Sequence, residues 1–106
     1  MRLVDENCKP VKVGESSLSS QVIKELAVQI PGWIIKDKSI EREFQFRDFK
    51  GSIGLVNKIA DLAEKQNHHP DICIYYSKVK LDLSTHRIGG LSRNDFILAA
   101  KIDQLI

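Results

Sequence analysis

The chain has 106 residues, 42% of them hydrophobic and 28% charged, with a net charge of +2 at neutral pH. That length holds one domain with a single modest core. The charge is too small to argue for nucleic acid or an anionic membrane as partner, and no apolar run is long enough to span a bilayer.

The first residues, Met1-Arg2-Leu3-Val4-Asp5-Glu6, carry charge where a signal peptide has its apolar core. Residues 1–15 lack periodicity and contain Pro10 and Gly14, so they read as an N-terminal tail, with the domain running from 16 to 106. The cysteines Cys8 and Cys73 fall in the tail and in an expected strand. That predicts no disulfide framework and a reducing, cytoplasmic location.

Ser16 or Ser17 offers an N-cap for a first helix. Leu18, Val22, Leu26 and Ile30, helped by Ile23 and Ala27, make its apolar stripe, and Pro31-Gly32 ends it. Trp33 to Lys36 reads as a short strand, with Trp33 in the core or an interface. After a turn at Asp37-Lys38-Ser39, Ile40 to Phe46 alternates, with Phe44 and Phe46 opposite Glu43 and Gln45. These two strands are expected to form a hairpin.

Asp48 caps the next helix. Phe49, Ile53, Val56, Ala60 and Ala63 follow the spacing of one buried face. Leu55, Ile59 and Leu62 widen it, and a helix with more apolar surface than one sheet can hide suggests an oligomer contact. Gly51 and Gly54 are read as close packing near the helix start rather than as a phosphate loop.

The helix ends at Asn67, and Pro70 turns His69 away from helical dihedrals. Asp71 to Tyr76 and Val79 to Thr85 read as paired strands around a Ser77-Lys78 turn. Facing Tyr76 to Val79, Ile74 to Leu81 and Ile72 to Leu83 keeps all six apolar or aromatic side chains on one face. Extended outward, this register sets Pro70 opposite Thr85 and His69 opposite His86. The open end then gathers all three histidines of the chain, His68, His69 and His86, with Glu64 one helical turn before His68.

Gly89-Gly90 makes the last turn. Ser92 and Asp95 form a capping box, Leu91 and Phe96 a hydrophobic staple, and Phe96, Ala99, Ala100 and Ile102 to Ile106 carry the last helix. The order α-β-β-α-β-β-α predicts an α+β sandwich: one four-stranded antiparallel sheet with helices on one face.

Three imidazoles around one ligand are equipped for general acid–base catalysis, since each exchanges a proton near neutral pH. A carboxylate such as Glu64 or Asp71 would fix a ring's tautomer. Two alternatives compete. Three histidines and a carboxylate would suffice for zinc, though no His-x-His or His-x-x-x-His spacing is present. His68 and His69 could instead merely cap the helix C-terminus. Arg87 beside His86 could meet an anion or simply be solvated. Cys73 has no neighbour that would activate a thiolate, and the dispersed Lys and Arg residues outline no nucleic-acid surface.

The motif Glu64-Lys65-x-x-His68-His69-Pro70, then Tyr76-x-x-Val79, then Thr85-His86-x-x-x-Gly90-Leu91-Ser92-x-x-Asp95, resembles the pterin-4a-carbinolamine dehydratases, also described as dimerisation cofactors of a homeodomain transcription factor. Trp33 and Phe44-x-Phe46-x-Asp48-Phe49 match upstream. The resemblance implies dehydration of 4a-hydroxytetrahydropterin (4a-hydroxytetrahydrobiopterin in tetrahydrobiopterin recycling) to the quinonoid dihydropterin, with no metal and no cofactor. It implies that His68 and His86 form the acid–base pair, that His69 holds the pterin and that Glu64 supports it. Pro70, Asp71, Ser84, Thr85 and Asp95 would shape or support the substrate pocket. It also implies a homo-oligomer, commonly a dimer of dimers. A non-enzymatic role as a protein-binding module, such as a transcriptional cofactor, is the alternative.

Overall fold

The computed structural model describes residues 2–106. Its elements are α1 (Ser20–Ala27), β1 (Ile34–Ile35), β2 (Ile40–Gln45), α2 (Phe49–Gln66), β3 (Asp71–Tyr75), β4 (Lys78–Leu83) and α3 (Arg93–Asp103). The four strands form one antiparallel sheet in the order β1-β2-β4-β3, as the α+β reading expects.

The sheet has one covered face because its strands alternate. Val79, Leu81 and Leu83 of β4 are fully buried, while Lys78, Lys80 and Asp82 between them are only partly covered. Across the ladder, Ile40 pairs with Leu83 and Phe44 with Val79, so the buried residues of β2 and β4 share that face. Helix α3 supplies the other half of the core: Phe96, Leu98, Ala99 and Ile102 are fully buried. Arg42 also sits on the inner face of β2. Its guanidinium lies 4.6 Å from the Phe44 ring centroid and donates to Asp103 at 2.7 Å. Asp103 accepts a second bond from Trp33 Nε1 at 2.9 Å, so the buried indole has its polar partner.

Three local expectations shift. The first helix begins at Ser20 with Ser19 as its cap, because the Leu18 amide is taken by the Leu91 carbonyl at 2.9 Å and holds that residue out of the helix. Four nearby serines can all cap, and this long-range bond selects among them.

In the β3–β4 hairpin, Ile72 pairs with Leu81, Ile74 with Val79 and Tyr75 with Lys78. The turn is therefore Tyr76-Ser77, and the register is offset by two residues from the expected one. Tyr76 takes a left-handed backbone with φ 49°. Its ring stacks on Phe49 at 6.5 Å between centroids, and the Ser77 carbonyl accepts from the Phe46 amide at 2.7 Å. A two-residue offset leaves Ile72 and Ile74 on their expected face, while Tyr76 moves from the strand into the turn and is exposed.

In α2, the inward residues are Ser52, Leu55, Ile59 and Ala63, while Phe49 is half exposed and Ala60 lies outside. The helix carries two adjacent apolar stripes, and the sheet takes the one starting at Ser52. Gly51 permits a close approach at the helix start: a Cβ there would lie 3.1 Å from Phe46 Cβ. Gly54, by contrast, has open space around it.

The residues before 16 pack on the domain. Leu3, in a single 3-10 turn at Leu3–Asp5, is fully buried within the core cluster. Its amide donates to Gln29 Oε1 at 2.7 Å, and Lys101 Nζ donates to the Val4 carbonyl at 2.9 Å.

Candidate active site

The site begins where α2 ends. Asn67 closes the helix in the left-handed region with φ 52°, a conformation that asparagine tolerates better than most residues. The Ala63 carbonyl accepts from the amides of both Asn67 and His68. The chain leaves the helix abruptly, and the two following histidines diverge. His69 Nε2 lies 2.5 Å from Glu64 Oε2, on the last turns of the helix just left. His68 turns inward and brings Nε2 to 2.6 Å from Asp95 Oδ1.

Asp95 has no exposed surface. A buried carboxylate needs its charge paired and its lone pairs filled. Oδ2 accepts from the Ser92 amide at 2.9 Å and from Thr85 Oγ1 at 2.8 Å, and Thr85 Oγ1 lies 2.7 Å from Ser92 Oγ. The capping box predicted for α3 is thus present, and its acid also reaches His68 across the fold. With a carboxylate at Nε2, that nitrogen carries the proton. Nδ1 is left as a lone pair that can take or return one.

Thr85 ends the strand side of the site. Its amide bonds the Gly90 carbonyl at 2.8 Å, closing a loop in which His86–Ile88 forms a 3-10 turn and Gly89 takes φ 65°. His86 stands exposed on this loop, and neither ring nitrogen bonds a described residue. His68, His69 and His86 line one cavity of about 470 Å³, joined there by Ser84 and Thr85. Glu64, largely exposed, and Asp95, fully buried, are not part of the lining, and each bonds one of its imidazoles. Pro70 and Asp71 stand apart from the lining, and Asp71 opens β3 opposite Asp82. Among the described residues, no group of three or more His, Cys, Asp or Glu could hold a metal ion.

One wall escaped sequence reasoning. Cys8, Lys9, Pro10 and Val11 line the cavity opposite the hairpin. The strap is held by side chains from three other segments. Gln66 Oε1 accepts from the Cys8 amide at 2.8 Å. Asn94 accepts from the Lys9 amide at 2.9 Å and donates to its carbonyl at 2.6 Å. Arg87 donates to the Val11 carbonyl at 3.0 Å, and Arg93 grips Glu6 with two nitrogens at 2.7 and 2.6 Å. The arginine holds the Glu6 carboxyl below the usual carboxylate range. Burial, with a smaller contribution from the nearby Asp95 charge, pushes the Cys8 thiol up to about 11. The strap has no periodicity to betray it; the only signal was Asn94, a polar residue in the first turn of an otherwise buried helix.

The arrangement defines a class: an α+β domain with a histidine-lined cleft at the open end of a hairpin, two of its imidazoles bonded by carboxylates. The chain belongs to the family described as pterin 4 alpha carbinolamine dehydratase, whose family model matches residues 16–105. Two relatives, each named "Putative pterin-4-alpha-carbinolamine dehydratase", illustrate the likeness. The one from Rubrobacter xylanophilus is 40% identical over 97% of both chains. The one from Alkaliphilus metalliredigens is 44% identical over 96% of this chain and 94% of its own. A crystal structure described as a transcriptional coactivator/pterin dehydratase from Brucella melitensis superposes with a TM-score of 0.78 at 29% identity, covering 85% of this chain and 98% of that one. A pterin dehydratase-like protein described as a RuBisCO assembly factor shares the fold, with a TM-score of 0.57 at 20% identity over 69% of this chain and 84% of its own.

Proposed function

We propose that this protein dehydrates 4a-hydroxytetrahydropterins to quinonoid dihydropterin and water by metal-free histidine acid–base catalysis, in the recycling of a tetrahydrobiopterin-type cofactor in the cytoplasm. The observation that carries this reading is the convergence of His68, His69 and His86 on one cavity. The reaction breaks the C4a–O bond. A protonated imidazole gives its proton to the departing oxygen, which leaves as water, and N5 gives up its proton to a second imidazole. His68 and His86 are the pair assigned to these transfers. Asp95 supports His68 by stabilising the imidazolium form. His69, held by Glu64, orients the pterin ring, while Ser84 and Thr85 complete the pocket floor.

A homo-oligomer belongs to the same reading. Ile74, Tyr75, Tyr76 and Phe49 are exposed along the open edge strand β3 and the start of α2. An unpaired apolar edge of this kind is suited to cover by a second copy.

The test is a rate. A 4a-hydroxytetrahydropterin is generated by a hydroxylase, and its ultraviolet decay is followed with chelator present. Wild type accelerates the decay, and His68→Ala or His86→Ala lowers kcat by about 10²- to 10⁴-fold. No acceleration by the folded protein overturns the enzymatic reading and favours the protein-binding alternative.

A further inference from the structure

The charges around the cavity are one-sided. Lys9, Lys65 and Arg87 line it, and no Asp or Glu does. Among the described residues, none of these three cations forms an ion pair. Lys36, Arg42, Lys80 and Arg93, by contrast, pair with carboxylates away from the cavity lining. The two carboxylates behind the cavity are committed to His69 and His68. Glu6, the acid nearest Lys9 along the strap, is gripped by Arg93.

Lys9 owes its place to its main chain. Asn94 holds both its amide and its carbonyl, so the side chain plays no part in fixing the strap. Arg87 is fixed differently: one nitrogen donates to Val11, across the cavity mouth from its own loop, while its charge stays unneutralised. Both residues line the same cavity, Lys9 from the strap and Arg87 from the loop after β4. Unpaired positive charge around a cleft with low-dielectric walls focuses the field and favours an anionic ligand.

We propose that the cavity takes a pterin whose ring substituent carries an anionic group, such as a phosphate ester, with Lys9 and Arg87 as the specificity-determining residues and Lys65 adding to the field. The inference rests on the pterin reading above and narrows its substrate class. The histidines handle the bicyclic ring, and the strap and the His86 loop meet the charged end of the substituent. Of the three cations, Lys9 lies outside residues 16–105, while Lys65 and Arg87 lie within them.

The test compares binding of an oxidised 6-hydroxymethyl pterin with binding of its phosphate monoester, read by quenching of pterin fluorescence on the full-length protein. Wild type is expected to bind the monoester about tenfold more tightly at about 20 mM salt, with the gap nearly closed at about 0.5 M, because partly solvated charge pairs are weak and screened. Lys9→Gln, which leaves the strap's backbone bonds in place, is expected to lose most of the gap. Arg87→Lys is expected to keep part of it. Equal binding of the two pterins by wild type overturns this inference and leaves the pterin reading intact. Binding of neither overturns both. Inorganic phosphate competing as well as the monoester also overturns it, since the site would then be an anion site without a pterin. An undiminished gap in Lys9→Gln removes that residue from its assigned role.

Discussion

Asp95 holds His68 with one oxygen and its own helix with the other: Oδ1 lies 2.6 Å from the His68 Nε2 atom, and Oδ2 accepts from the Ser92 amide at 2.9 Å. One buried carboxylate therefore fixes the start of α3 and the orientation of an imidazole 27 residues away. Replacing it by asparagine keeps the shape and removes the charge. Asp95→Asn is expected to stay folded, to lower the dehydration kcat by about 10²-fold and to leave KM within a few-fold, because stabilisation of imidazolium enters only with proton transfer. Asp95→Ala leaves His68, Thr85 and the Ser92 amide without their acceptor. It is expected to cost roughly 3 kcal/mol in urea unfolding.

The two thiols are expected to react at different rates. Cys8 is half-buried with its thiol pushed up to about 11, so only about one molecule in a thousand is thiolate there at pH 8. Cys73 lies exposed on β3. Limited alkylation with iodoacetamide at pH 8, read by peptide mass spectrometry, labels Cys73 first. A pterin bound in the cavity slows Cys8 further and leaves Cys73 unchanged.

The Glu6–Arg93 pair makes the strap sensitive to acid. The carboxyl is held below its ordinary value of 4.5 in the folded chain, so the unfolded chain binds a proton there first as pH falls. The pair's contribution is full above the ordinary carboxylate range and is lost as pH drops through the lowered value. Arg93 is about half exposed, so the contribution is small, below about 1 kcal/mol. Thermal unfolding of wild type and Arg93→Ala should differ at pH 7, and the difference should shrink as pH falls below the ordinary carboxylate range.

Leu3 offers a sharper test of how the N-terminus is attached. It is fully buried against the core, and truncating such a side chain leaves a cavity. Leu3→Ala is expected to destabilise the protein by roughly 2–5 kcal/mol in denaturant titration. A loose tail would show no change.

Elements whose pattern is local were readable from the sequence. The alternation of Val79, Leu81 and Leu83, the Asp48 cap and the Ser92–Asp95 capping box are all present. What tertiary contacts decide was not readable. Ser19 caps α1 because Leu91 claims Leu18. The hairpin turns at Tyr76 because Phe49 stacks on a ring in an otherwise unfavourable backbone. At the site, the histidines meet at one end even with the register offset, because they lie in the segments that flank the open end of the hairpin, before β3 and after β4. Residues 8–11 obey no periodicity, so nothing in their pattern pointed to a cavity wall. Their position rests on partners such as Asn94, 85 residues downstream.

That separation in the chain governs when the cavity can exist. The strap is made well before its anchors Arg87, Arg93, Asn94 and Lys101. The hairpin and α2 can pair as soon as they are made, since their contacts are closer in sequence. Gln29 and Gln66 can hold Leu3 and Cys8 earlier, but Glu6, Lys9 and Val11 gain their anchors only when Arg87 and the start of α3 have been made. Loop closure on this scale is among the slower steps of folding. The nascent chain therefore presents its histidines before it can enclose anything between them, and an open cleft becomes a bounded one only once α3 has been made.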